Sequence, residues 1–167
     1  MVFFSVIKKS TQMLLLALSI ISALILGVAL VAQYGFGLHP CELCLLQRYP
    51  YVAIIILGLL GAVFAKTPRT LWILAVLCGL LLLAETGIAF YHAGVELGWF
   101  PGPSACTSNA SRGETLEEMR RELMNAPLVP CNQPMLQVLG ISMAGWNALI
   151  AALLFIGTCI ILTKKKS

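Results

Sequence analysis

The chain predicts an all-α membrane protein, a four-transmembrane-helix bundle with a long periplasmic loop, and three observations carry that prediction. Four long apolar runs are separated by more polar stretches, the last of them long. Of 167 residues, 59% are hydrophobic and only 11% charged. Mean hydropathy is +0.92, whereas soluble domains carry about 25% charged residues to cover a wet surface. No basic patch with interleaved aromatics, glycine-rich phosphate loop or internal repeat is present, so nucleic-acid and nucleotide binding have no support.

The first run, residues 13–31, follows Lys8 and Lys9. It exceeds the roughly 7–15-residue core of a secretory signal, and no small-x-small cleavage site precedes Gln33. At about 1.5 Å per residue it crosses a hydrocarbon layer of about 30 Å, so it reads as a retained span. A second span is expected over 50–65, its helix beginning near Arg48 or Pro50, because proline is tolerated in a first helical turn. Lys66-Thr67-Pro68-Arg69 makes a polar turn. The third span is expected over 70–91 and the fourth over 145–162, leaving external loops at 32–49 and 92–144 in one domain of 1–167.

Charge orients the bundle. With four spans, both termini share a side holding Lys8, Lys9, Lys66, Arg69, Lys164, Lys165 and Lys166 and no acid. The opposite side sets Arg48, Arg112, Arg120 and Arg121 against Glu42, Glu96, Glu114, Glu117, Glu118 and Glu122. The positive-inside rule places the termini in the cytoplasm. Tyr34, Tyr49, Tyr51, Tyr91, Trp99 and Trp146 then gather at the outer interface, as amphipathic rings do. Within the outer loop, Ser111-Arg112-Gly113-Glu114 has capping-box spacing, and Leu116, Met119, Leu123 and Met124 recur on one helical face. A short amphipathic helix is expected there, and an interfacial apolar segment over 135–143.

Cys41, Cys44, Cys106 and Cys131 all fall outside, where an oxidising compartment favours disulfides. Cys78 and Cys159 lie inside spans and read as small apolar packing residues. A static bridge suits Cys106 and Cys131, which would close a long loop. It suits Cys41 and Cys44 poorly, since a ring with two intervening residues constrains almost no chain; that spacing favours redox exchange. A zinc site from Cys41, Cys44 and two of Cys106, Cys131, His39 and His92 is the competing reading, weakened because the second pair lacks Cys-x-x-Cys spacing. Arg48, four residues after Cys44, favours a nearby thiolate; alone, it would pass for an interfacial snorkelling arginine.

Pro40-Cys41-Glu42-Leu43-Cys44-Leu45-Leu46-Gln47-Arg48 resembles the signature of the disulfide bond formation protein B (DsbB) family. So do Tyr91-His92 with Gly94 and Glu96 before Trp99, Pro103 and Cys106, and Pro130-Cys131 ahead of Leu139 to Asn147. The resemblance covers nearly the whole chain. It implies a quinone-dependent thiol oxidase of the bacterial inner membrane, using ubiquinone or menaquinone and serving a periplasmic thioredoxin-like dithiol protein of the DsbA type. It further implies that the partner attacks Cys106 and releases Cys131, that Cys41 and Cys44 reoxidise that pair, and that Cys44 and Arg48 face the quinone. A vitamin K epoxide reductase-like four-helix enzyme fits less well, because its cysteine order differs.

Glu85 lies inside the third span. An intramembrane acid is a functional candidate, for instance in proton uptake; the plainer reading, preferred here, is a carboxyl hydrogen-bonded to a neighbouring helix. His39 and His92 sit near the outer interface, and nothing in the sequence separates a tuned thiol partner from a solvated ring.

Overall fold

The computed structural model describes residues 2–103, 117, 129–134 and 136–164, with side chains from residue 9 onward. The element order is α1 (Val2–Gly35), α2 (Glu42–Leu46), α3 (Arg48–Phe64), α4 (Pro68–Glu96), β1 (Gln137–Val138), β2 (Ile141–Ser142) and α5 (Met143–Lys164). Among the described residues, four stretches are long and apolar enough to cross a membrane: Lys9–Gly35, Glu42–Phe64, Pro68–Glu96 and Met143–Lys164. The four-helix membrane bundle read from the sequence is therefore the fold.

The expected loop over 32–49 is partly helical. The Cys-x-x-Cys stretch builds α2, which runs into α3 with an interruption at Gln47. Pro50 explains the break: it gives no N–H to the carbonyl four residues back, and its ring crowds that carbonyl. Thr67 opens α4 with its Oγ1 accepting from the Thr70 N–H at 3.2 Å, and Pro68 follows in the first turn. That helix continues past the expected end at Tyr91 to Glu96. Gly98, at φ +73°, then reverses the chain, and the Trp99 N–H returns to the Gly94 carbonyl at 2.8 Å.

The apolar segment expected along the interface over 135–143 forms a hairpin within its described residues. Gln137 pairs with Ser142 and Val138 with Ile141 around a Leu139-Gly140 turn. Both turn residues have positive φ, 54° and 79°, as a two-residue hairpin with the native twist requires. Trp146 Nε1 donates to the Val138 carbonyl at 3.0 Å, and Ser142 Oγ accepts from the Gly145 N–H at 3.1 Å, so the hairpin also caps α5. Cys106 and all but Glu117 of the expected amphipathic helix, Ser111 to Met124, lie outside the described residues.

α4 is the hub, with α1, α3 and α5 packed around it; α1 also packs along α3, while α5 rests chiefly on α4. Leu15, Leu18, Ile54, Leu71, Ala75, Cys78 and Leu82 form the buried core. Cys78 is thus the packing residue expected, and Cys159 is also unbonded. Outward faces carry exposed apolar side chains such as Leu24, Val63, Phe64 and Leu153, suited to lipid. Close approach of α1 and α3 depends on small residues, as is usual where lipid supplies no hydrophobic drive for helix association. A Cβ on Gly58 would collide with Ser19 Oγ and stand 2.8 Å from the Leu15 carbonyl oxygen. Gly58→Ala should therefore destabilise the bundle by about 1–3 kcal/mol. Gly27→Ala, with nothing within 4 Å of the added carbon, should not. Unfolding titrations of the two variants in detergent check this, and equal midpoints would contradict the packing argument.

Candidate functional site

Cys41 is the N-cap of α2, and its Sγ accepts from the Cys44 backbone N–H at 3.3 Å. The three-residue spacing folds Cys44 back over the cap, so the two sulfurs stand 2.7 Å apart as unbonded cysteines. Cys-x-x-Cys spacing plus a helix start thus converts a sequence motif into a sulfur–sulfur contact.

α4 brings the third group. His92 is buried, with Nε2 3.5 Å from Cys41 Sγ and Nδ1 3.2 Å from Gln47 Oε1. Gln47 Oε1 can only accept, so Nδ1 carries its hydrogen and Nε2 faces the sulfur free to take a proton. Glu96 Oε1 lies 3.8 Å from the same Nε2, one turn along α4. The Cys41 thiol is driven down to about 4, first by the hydrogen bond from Cys44, then by His92 and the Cys44 backbone N–H, against the opposing effect of burial. The arrangement is that of an activated nucleophile: a thiolate with a resolving thiol on one side and a proton acceptor on the other.

Cys131 is buried and disulfide-bonded, and it packs in one cluster with Cys41, Leu43 and Val95, flanked by Cys44, Tyr91 and Val129. The fold thus brings three of the four outer cysteines together; Cys106 is not described. Arg48 Nη1 donates to Gln33 Oε1 of α1 at 2.7 Å, and Arg48 lines the same cavity as Cys44. His39 is exposed and takes no part.

Below the thiols lies a largely apolar cavity of about 430 Å³. Cys44, Gln47, Arg48 and His92 line it near the thiols, Ile25, Leu26, Val28, Ala29 and Ala32 of α1 and Ala144, Trp146 and Ile150 of α5 form its flanks, and Tyr51 and Asn147 lie deeper. α1 and α5 both pack on α4 and scarcely on each other, and residues of both line the cavity. Its polar groups are few. Gln47 Nε2 is buried there without a partner among the described residues. Deeper in the bundle, Tyr51 Oη donates to Asn147 Oδ1 at 2.5 Å, and Asn147 Nδ2 donates to Glu85 Oε1 at 2.7 Å. Glu85 is therefore the helix-bridging carboxyl expected. The sequence leaves His92 open between thiol partner, metal ligand and solvated ring, and it assigns no role beside the thiols to Gln47, Tyr51 or Asn147. A signal existed for the first: Glu85, His92 and Glu96 recur on one face of an otherwise apolar span.

Cys41, Cys44 and His92 hold their donor atoms within 4.8 Å of one another, a group able to ligate a thiophilic cation.

A family model described as disulfide bond formation protein DsbB matches residues 11–161. A disulfide bond formation protein B of Pasteurella multocida is 33% identical over 149 residues, covering 87% of this chain and 80% of its own. Its counterpart in Cupriavidus metallidurans is 31% identical over 148 residues, covering 84% and 85%. An uncharacterized protein of Rickettsia prowazekii is 29% identical over 154 residues, covering 90% and 88%.

The thiolate at Cys41 has a direct signature. In reduced protein, thiolate ultraviolet absorbance should persist as pH falls and be half lost near pH 4. Cys44→Ala removes the largest cause and should move that midpoint upward, as should His92→Ala by a smaller step. Loss of the whole signal near the ordinary thiol value of 9.0 would show that the geometry does not activate Cys41.

Proposed function

The chain belongs to the DsbB family of disulfide bond formation proteins, and from that premise we propose that it oxidises a periplasmic thioredoxin-like dithiol protein of the DsbA type. The electrons pass through two cysteine pairs to ubiquinone or menaquinone in the bacterial inner membrane. The observation that carries the reading is the position of Cys41 and Cys44, between the cluster containing Cys131 and a cavity embedded among membrane helices. The excess of Lys and Arg at the termini and the Lys66–Arg69 turn supports cytoplasmic termini and a periplasmic site.

The partner's thiolate attacks Cys106 Sγ, and Cys131 leaves as thiolate; the partner's second thiol then displaces Cys106 and closes the partner's disulfide. The reduced loop pair passes its two electrons to a Cys41–Cys44 disulfide by the same exchange. His92 Nε2 holds the proton that Cys41 gives up and so keeps it a nucleophile. A bound quinone would supply the two-electron oxidant that lets Cys41 and Cys44 close again to a disulfide, the two protons coming from the Cys44 thiol and from His92 Nε2.

The residues lining the cavity fit such a substrate. An orphaned Gln47 Nε2 and the Arg48 guanidinium are donors for a carbonyl oxygen beside Cys44. Apolar α1 and α5 walls suit the ring and its isoprenoid tail, and the unpacked seam between them gives a lipid-borne molecule lateral access. The cation-binding reading is weaker on geometry. Two sulfur ligands on a tetrahedral zinc stand about 3.8 Å apart, whereas these two stand at 2.7 Å.

Purified protein with a short-chain quinone should oxidise a reduced dithiol partner, and Cys44→Ser should abolish turnover. Arg48→Leu should raise the quinone KM about tenfold or more, the worth of a hydrogen bond from a charged donor. In cells, Cys131→Ala should trap the partner on Cys106. Full turnover by Cys44→Ser would exclude the relay; tight zinc that protects the thiols from alkylation would favour the metal reading.

A further inference from the structure

We propose that Tyr51 and Asn147, held in place by Glu85, form a second polar anchor in the cavity: they receive the quinone oxygen remote from Cys44. The proposal rests on the quinone reading above and assigns three residues that the thiol relay does not use.

The argument begins with cost. A carboxyl, an amide and a phenol stand together inside an apolar helical bundle, where polar side chains are expensive unless they do something. Glu85 is fully buried, and its Oε2 has no partner among the described residues. Gluing helices together accounts for part of this, because the hydrogen bonds join α3, α4 and α5. It does not account for Tyr51 and Asn147 both lining the cavity, while Glu85 stands behind them.

Donor and acceptor counts show what the pair offers a ligand. The Tyr51 hydrogen is committed to Asn147 Oδ1, and one Asn147 N–H to Glu85. What is left is the second Asn147 N–H and the lone pairs of Tyr51 Oη. One is a donor for a carbonyl oxygen, and the other an acceptor for the hydroxyl which that oxygen becomes on reduction. The anchor therefore suits both states of one oxygen without any rearrangement. Glu85 makes this possible by pinning the amide between an acceptor and the tyrosine donor, so that the N–H side cannot exchange places with the carbonyl.

Spacing places the anchor correctly. Cys44, Gln47, Arg48 and Tyr51 share one helical face, and the step from Gln47 or Arg48 to Tyr51 rises about 4.5–6 Å. That is comparable to the separation of two carbonyl oxygens across a quinone ring. A ring with one oxygen at Gln47 and Arg48 thus has its other at Tyr51 and Asn147.

The test uses full-length protein in detergent, decylubiquinone as acceptor and a reduced dithiol, with KM and kcat measured separately. Asn147→Leu and Tyr51→Phe should each raise the quinone KM, the former about tenfold, while the rate of dithiol reaction with the cysteines stays unchanged. Glu85→Leu should match Asn147→Leu. Glu85→Gln, which keeps an oxygen to accept from Asn147, should restore most of the affinity. A phenol carrying the same tail and lacking the remote oxygen serves as competitive inhibitor; its inhibition constant should be the same in wild type and Asn147→Leu. Equal weakening of phenol and quinone would mean that the trio only supports the fold, and would overturn the anchor. An unchanged quinone KM in both Asn147→Leu and Tyr51→Phe would overturn it while leaving the relay intact. Should Asn147→Leu not fold, Tyr51→Phe, which keeps the ring, decides the matter. Absence of any quinone-dependent oxidation by the wild-type chain would overturn both readings.

Discussion

The contact between Cys41 and His92 ties the start of α2 to the outer end of α4, and the rest of the site depends on it. A thiolate beside hydrocarbon is costly unless its charge is met at once. Here the charge is met by a backbone N–H, a neighbouring thiol and an imidazole, all within 3.5 Å. Gln47 holds the imidazole from its other nitrogen. Because α4 is also the helix around which the bundle packs, the rigidity of the core is transmitted to the sulfur. Cys131 packs against this assembly, in the same buried cluster as Cys41.

A second constraint is negative in kind. α1 and α5 share the hub helix without packing on each other, and the space left between them is the cavity. Tight packing elsewhere, through Gly58 against Ser19 and Gly61 against Leu15, permits this gap without loosening the bundle. A cavity with thiols at its head, donors beside them and polar groups at depth has a direction built into it.

The hairpin between Leu136 and Met143 shows how local and tertiary effects divide. Its sequence is apolar and resembles an interfacial segment, and Leu139 is a poor residue for a positive φ. Helix packing overrides that local preference. Trp146 and Ser142 bind the hairpin to the start of α5. The same kind of override extends α4 beyond Tyr91, since His92 and Glu96 find partners there that polar residues at a helix end would otherwise seek in water.

The four spans, their order and the candidate cysteines were legible in the sequence, because hydrocarbon thickness imposes long apolar runs and thiol pairs carry their chemistry in their spacing. Family membership was legible for a related reason: the Cys-x-x-Cys stretch, the His92 to Cys106 stretch and the segment ending at Asn147 lie in one chain in one order. Helical periodicity also hinted at a polar face on α4. What the chain alone could not disclose was which polar residue meets which. His92 meets Cys41 across 51 positions, Asn147 meets Glu85 across 62 and Tyr51 across 96. Such pairings depend on how four helices are rotated about their axes, and rotation is decided by side-chain packing between elements, which no local pattern records. The Cys41–Cys44 stretch therefore announced a redox pair, while the base beside it and the polar groups two turns deeper were decided by the tertiary structure.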